Sequence, residues 1–449
     1  MHPRNGRSGR IGVPLALLLL AAAPLAAHAD EPRYGDSTWV APYPVADSTG
    51  DPTAPGPRVS EPKGEPVGET ILRTPFRIIG LPFRALFAGF EWLAGVGAPH
   101  VFEPHVRVGV HLPYATISPT FDYTAQTGFE PGFSIHRAAY REDIPDITIH
   151  GSWSFKDQRR ASFRLRVGSD SLHWNGGLFA RYRYTPTTRF YGVGNFTHGD
   201  NRSYYLAEKG EINAFMAKHL TKHATVRLIG GINSYASRHS YNGTPPLEQN
   251  FAPSTIEGYG HDSRMVVFGA NGEWAKLNRG PDPYAGVYVR GEIQRYRSLN
   301  GIDVQYVQWD GEVRGYIPVG AQRRVLALRA VYEAANPDAG SNPIPFDRLP
   351  ASVDDYRFLA YHGSQFRDQQ VGVGQIEYRW LVFPPTVQMY ALAQIGEVAP
   401  SQRLMRMDDI HESYGGGLRY FGPNGGWVRG QVVHGAEGFN IGVDIGTGF

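Results

Sequence analysis

From about residue 115 to the C-terminus, hydrophobic and polar positions alternate with a period of two. The last stretch is the plainest. Phe439, Ile441, Val443, Ile445 and Phe449 fall on one side, with Asn440, Gly442, Asp444, Gly446 and Gly448 on the other. Ile147, Ile149, Trp153 and Phe155 oppose Thr148, His150, Ser152 and Ser154 in the same way. Val287, Val289 and Ile293 oppose Tyr288, Arg290, Glu292 and Gln294. Val307, Trp309 and Val313 oppose Gln308, Asp310, Glu312 and Arg314. This period is the signature of β-strands with two unlike faces. Strands in soluble sheets average about five or six residues, whereas these segments are about twice as long, as a tilted span through lipid requires. One face is apolar and the other carries charges of both signs, which fits lipid outside and an aqueous or plugged lumen inside.

Counting the segments gives a chain of strands near 115–124, 128–138, 144–155, 159–168, 171–184, 203–219, 222–239 and 262–277. Eight more lie near 282–298, 302–316, 322–334, 369–382, 385–396, 411–420, 425–434 and 438–449. The total is sixteen, an even number, as in single-chain bacterial barrels. Long connections at 185–202, 240–261, 335–368 and 397–410 all follow odd-numbered strands, and those after even-numbered strands are short. Long loops outside, tight turns inside and both termini in the periplasm are the outer-membrane arrangement. The expected fold is therefore an all-β, 16-stranded antiparallel transmembrane barrel over 101–449.

The first hundred residues follow other rules. Arg4, Arg7 and Arg10 precede an apolar run from Ile11 to about Leu25, and Ala27-His28-Ala29 forms a small-x-small cleavage site. Residues 1–29 thus read as a secretory signal, with the mature chain starting at Asp30. Residues 30–70 are rich in Pro, Gly, Ser and acids, which predicts a Pro-rich periplasmic tether. Residues 71–100 turn apolar, but Arg84 and Glu91 make a span costly. A short amphipathic helix after Pro82, at a membrane interface or against another part of the protein, is expected there.

Composition narrows the functional classes. Without cysteine there is no disulfide scaffold, thiol nucleophile, Cys-ligated metal or lipoprotein anchor. The 54 glycines among 449 residues exceed the usual ~7%, in keeping with a turn-rich β architecture. Removing the signal leaves 41 basic residues against 42 acidic, so the formal net charge falls from +2 to −1. No nucleic-acid partner is expected on that balance.

Several motifs, in order, resemble the bacterial surface antigen family, the outer-membrane assembly-factor superfamily of the BamA/TamA type. Arg189-Phe190-Tyr191-Gly192-Val193-Gly194-Asn195 is similar to its RFYGIGN stretch. Ile344-Pro345-Phe346, Gln365-Phe366-Arg367-Asp368 and Glu377-Tyr378-Arg379-Trp380 resemble a later succession in that family. Tyr414-Gly415-Gly416-Gly417-Leu418-Arg419-Tyr420 through to Phe449 resembles its three closing strands. The resemblance implies that the loop between strands 11 and 12 folds into the lumen. Phe366, Arg367 and Asp368 would dock there, with Arg357 and Tyr361 nearby. It further implies that Arg367 pairs with an inward acid, Glu377, Glu292 or Glu312. Phe449, with Ile445, Val443 and Ile441 on its register, would mark the chain for insertion.

Two departures stand out. The family's lumen loop carries an LRGY-type stretch whose Arg docks on the inner wall. The aligned residues here are Phe358-Leu359-Ala360-Tyr361, so Leu359 replaces that Arg and Arg357 is the nearest substitute. Periplasmic polypeptide-transport-associated domains are not expected in a segment as short and Pro-rich as 30–100.

The charged inward residues have a structural reading. Arg290, Glu292, Glu312 and Arg314 are expected to form a cross-strand ladder that sets register, which Glu377 and Arg379 extend toward Arg367 and Asp368. A gating role is the alternative. His150-Gly151-Ser152 and His362-Gly363-Ser364 space a His and a Ser on one face, but polar i, i+2 pairs arise by default in a barrel lumen. A nucleophile also needs an oriented base. The chain is therefore expected not to be an enzyme and to need no cofactor or metal. Expected partners are outer-membrane lipids, the barrel assembly machinery for the chain's own insertion, and a separate periplasmic substrate-binding protein. The expected function is help in inserting or exporting polypeptides at the outer membrane of a Gram-negative-type bacterium. A passive pore or structural barrel is the alternative, and an outer-membrane lipid hydrolase, for which His150-Ser152 or His362-Ser364 would be the candidates, is a third reading.

Overall fold

The computed structural model describes residues 110–446 apart from 113–114, 125–127, 138–144, 170–173, 279–282, 302, 321–323, 352–357, 384–386, 407–408 and 422–426. The segments read as signal, tether and amphipathic helix lie outside the described residues, as do Arg357 and Phe449. A three-residue strand, β1 (Val110–Leu112), leads into sixteen long ones. They begin with β2 (Ala115–Thr124), β3 (Gly128–Arg137), β4 (Asp146–Trp153) and β5 (Arg159–Ser169). Next come β6 (Trp174–Phe190), β7 (Ser203–Thr221), β8 (Ala224–His239) and β9 (Asp262–Leu277). β10 (Gly286–Ser298), β11 (Gln305–Pro318), β12 (Arg324–Pro337) and β13 (Gln370–Phe383) follow. β14 (Val387–Ala399), β15 (His411–Phe421), β16 (Trp427–Gly435) and β17 (Gly438–Gly446) complete the set.

Each strand pairs antiparallel with the next along the chain, in one continuous sheet. The long connections 191–202, 240–261, 338–369 and 400–410 leave one end of the sheet, and tight turns such as 222–223 close the other. The periodicity located these strands well. One differs: β6 was expected to stop near 184 but runs to Phe190, through Pro186. The register shifts between Thr185 and Thr188, and a bulge is where a ladder tolerates a residue without an N–H.

The outward parity is an apolar belt. Leu178, Ile212, Ile232, Phe268, Trp309 and Ile376 are all exposed. No water-facing sheet gains from such a surface, whereas lipid makes it favourable. The inward parity divides by height. Toward the short-turn end it carries the charges of β10–β13. Toward the long-connection end it turns apolar, with Met265, Val267, Val371, Val373 and Val398 buried. Those positions are covered by the 338–369 connection.

Candidate functional site

The connection between β12 and β13, the eleventh and twelfth of the sixteen long strands, fills the bore at the long-connection end. Its first arm places Ile344 in a cluster with Met265, Val267, Tyr296, Tyr306 and Ala335. Phe346 enters an aromatic box, with ring centroids 5.1 Å from both Phe190 and Tyr205 and 6.3 Å from Tyr259. The 240–261 connection closes that box with Leu247, Phe251 and Ile256. The second arm packs Phe358, Leu359, Tyr361 and Phe366 on Val373, Tyr390, Leu392, Val398 and Val433. A segment touching β7–β11 on one side and β13–β16 on the other lies inside the sheet's curve. The wall makes room for it: a Cβ on Gly396 would stand 2.6 Å from the Phe358 ring.

The 191–202 connection supplies the clamp. Gly192 and Gly194 have φ of 116° and 107°, a region other residues rarely adopt. That turn lets the Gly194 amide donate to the Arg367 carbonyl at 2.7 Å. Asn195 accepts from the Val398 amide at 3.0 Å and donates to the Asp409 carbonyl at 2.6 Å. Fully buried Gln365 donates through Nε2 to the Thr197 carbonyl at 3.3 Å and to Glu437 Oε1 at 2.6 Å. The same Glu437 oxygen accepts from the Gly199 amide at 2.9 Å. One glutamine thus ties three connections together. His362 stacks on Tyr191, and burial with nearby Arg189 holds its imidazole below the ordinary value.

Arg367 is buried, but its partner differs from the one expected. Its Nη1 donates to the Phe346 carbonyl at 2.8 Å, and its guanidinium lies 5.6 Å and 6.0 Å from the Phe346 and Phe190 ring centroids. It makes no ion pair with Glu292, Glu312 or Glu377 among the described residues, because each of those acids is already bonded to an arginine two positions away on its own strand. Phe366 stacks on His411 at 3.8 Å, and Tyr361 donates from its hydroxyl to the Glu412 carbonyl at 3.2 Å. Asp368 accepts from the Gln369 amide at 2.8 Å.

At Leu359, where the sequence comparison led to the expectation of a docking Arg, the chain uses its backbone. The Leu359 amide donates to Gln394 Oε1 at 2.8 Å, and its carbonyl accepts from Asn440 Nδ2 at 2.8 Å. The Ala360 amide donates to Ser413 Oγ at 3.3 Å. Three inward polar residues from β14, β15 and β17 therefore do what one side chain was expected to do. Leu359 itself is buried in the apolar cluster.

Burial raises the Asp368 carboxyl above its ordinary value, and burial also raises Asp347 despite Arg348, Lys209 and Arg367 nearby. A folded state that holds these protons where the unfolded chain releases them loses stability as pH rises from the ordinary carboxylate value. Loop docking is therefore expected to tighten on acidification, read as higher amide protection factors across 358–369 once the intrinsic pH dependence of exchange is divided out. Asp368→Asn should flatten that pH dependence, and an unchanged slope would assign it to another group.

The ladder is present on β10–β13. Arg290 stands opposite Glu312 in register and bonds Glu292 at 2.7 Å. Glu312 accepts from Arg314 at 2.6 Å and from Arg329 at 2.5 Å, and Glu377 accepts from Arg379 Nε. Arg314 and Arg379 lie over the rings of Tyr288 and Tyr316, 5.0 and 5.4 Å from their centroids. Among the described residues, the bonds of Arg367 and Asp368 go to the Phe346 carbonyl and the Gln369 amide rather than to this ladder. Of the His–Ser pairs, Ser152 donates to Glu130 Oε1 at 2.5 Å, and Ser364 sits at a φ of 65° beyond the stacked His362. At the C-terminus Ile441 is exposed on the outward parity, and Val443 and Ile445 pair with Gly430 and Val428.

Sequence reading missed Gln365, Glu437, Gln394 and Asn440 as loop anchors, and Asn195 as the residue that ties the 191–202 connection to β14 and β15. Asn195 and Gln365 carried a local signal, since both fall within motifs that resemble the surface antigen family. The others look like ordinary polar lumen or turn residues until the chain is folded.

A long-strand sheet with an apolar exterior, a charged interior and a connection folded into the bore defines a β-barrel fold with a plugged lumen. The crystal structure of BamA from Haemophilus ducreyi lacking POTRA domains 1–3 superposes with a TM-score of 0.55. That match covers 74% of this chain and 69% of that one at 14% identity, and it carries the fold alone. CdiB from Acinetobacter baumannii superposes with a TM-score of 0.45 at 11% identity, covering 74% of this chain and 59% of that one. CdiB from Escherichia coli gives 0.46 at 9%, covering 75% and 62%. The fold assignment rests on BamA. No protein-family model and no curated protein sequence matches the chain.

Proposed function

We propose that this barrel helps insert or export polypeptides at the outer membrane. The observation that supports this reading is the loop at 338–369, which blocks the bore and is bonded to the last strand and the hairpin before it. Asn440 holds Leu359, and Glu437 holds Gln365. An open diffusion channel has no need of an obstruction held to the wall by bonds as specific as these. A barrel that changes state when cargo engages its wall needs such a coupled plug. In this reading residues 1–29 are a cleaved signal, 30–70 a periplasmic tether and 71–100 an interfacial segment, and both termini face the periplasm. A separate periplasmic protein presents the cargo, and the surrounding lipids and the barrel assembly machinery are the other partners.

The charged bore supports a second reading, a pore or a structural barrel without insertase activity. Depletion in the native cell, followed by quantification of outer-membrane and exported proteins, separates the two. A selective fall in a set of those proteins is the expected result. An unchanged proteome, with ion conductance by the purified protein, would overturn the first reading in favour of the second.

A further inference from the structure

On the outward face of β9 and β10 the apolar belt ends in arginines at the long-connection side. β9 presents Trp274, Phe268 and Val266 to the outside and then Arg264. β10 presents Val289 and Ile293 and then Arg295 and Arg297. In register Phe268 stands opposite Arg295, and Val266 opposite Arg297. One step further the Leu299 amide donates to the Arg264 carbonyl at 2.7 Å. Arg264 and Arg297 are therefore diagonal neighbours on one face, a separation that long side chains bridge.

The acids of this rim are already bonded to other groups. Asp262 accepts from Arg238 Nη2 at 3.1 Å, and Asp338 accepts from Arg295 Nη1 at 3.0 Å. Asp303 lies two residues before Gln305, the register partner of Arg297, and accepts from Gln305 Nε2 at 2.9 Å. Among the described residues neither Arg264 nor Arg297 makes an ion pair, and both are exposed. A single arginine at the edge of a lipid belt simply extends its charged end to water. Two neighbouring guanidiniums repel each other, and an anion held between them removes that repulsion. Arginine is suited to a phosphate in particular, since its planar fork matches the oxygens in pairs. The surface around the pair is apolar, with Leu299 exposed beside Arg264 and Val266 and Phe268 below.

We propose that Arg264 and Arg297 form a headgroup site for a phosphate-bearing lipid in the leaflet on the long-connection side. The phosphate lies between the two guanidiniums, and the acyl chains run down over Phe268 and Ile293. A free anion would gain only the first of these contacts, so the ligand is the lipid. This inference stands apart from the assembly reading, since a membrane barrel of either function can hold such a lipid.

The test measures lipid retained by the full chain in detergent, counted by native mass spectrometry. The probes are dioleoylphosphatidic acid, dioleoylphosphatidylcholine, whose choline balances its phosphate, and inorganic phosphate. Phosphatidic acid should be retained in preference to phosphatidylcholine. Arg264→Gln combined with Arg297→Gln should weaken its binding on the order of tenfold, with folding checked by heat-modifiable migration. Lys218→Gln combined with Lys222→Gln removes the same charge from exposed positions at the short-turn end and should leave binding unchanged. Equal retention of the two lipids overturns the proposal, as does retention that the arginine variant leaves intact or that the lysine variant lowers as much. Displacement of the lipid by inorganic phosphate at the same concentration, which would mean a site for a free anion, overturns it as well.

Discussion

Phe346→Ala should release the loop from the bore while leaving the barrel folded. Phe346 is 1% exposed, and its ring meets Phe190, Tyr205 and Tyr259. Truncating a buried phenylalanine costs about 3–5 kcal/mol, and here the cost falls on a segment held by packing rather than by the strand ladder. The Arg367 guanidinium also loses one of its two aromatic faces, though its bond to the backbone carbonyl of residue 346 remains available. A loss of that size can exceed what holds a single loop in place. Conductance in planar bilayers should rise well above that of the unsubstituted protein. A cysteine at position 367 should become open to labelling, while heat-modifiable migration stays normal. Unchanged conductance and continued protection of 367 would show that the second arm alone anchors the loop.

Glu312→Ala should have the opposite signature. Glu312 lies between Arg314 and Arg329 and opposite Arg290 in register. Removing the carboxylate leaves arginines facing one another with no counter-charge between them, a loss of about 3–5 kcal/mol for a buried pair broken on one side. That cost falls on the β10–β12 sheet itself. The urea midpoint of unfolding in detergent should drop sharply, while the loop remains protected for as long as the barrel is folded. An unchanged midpoint would mean that water in the bore screens these charges, and the ladder would then contribute little to stability.

The two variants thus separate the wall from the plug, and that division also marks what the sequence could tell. Strand number, strand position and the outward face were legible because each is local. A residue in a spanning strand meets lipid or lumen according to its parity alone, so Val287, Val289 and Ile293 declare their face without reference to any distant residue. The charged ladder was legible for the same reason, since cross-strand neighbours follow from adjacent hairpins.

The apolar inward positions were not legible. Met265, Val267, Val371 and Val373 carry the same hydrophobicity as lipid-facing residues, and only the folded loop explains why they point inward. The partner of Arg367 was misread for a related reason: the resemblance offered acids, but those acids are taken by arginines on their own strands, and the carbonyl that Arg367 meets has no sequence signature. The contacts of the 191–202 clamp are more remote still. Asn195 meets the Val398 amide across 203 residues and the Asp409 carbonyl across 214. Periodicity reports the solvent that each side chain faces. It carries no information about which of many equivalent polar wall residues a loop will meet once the sheet has curled around it, and that choice was made by the tertiary structure.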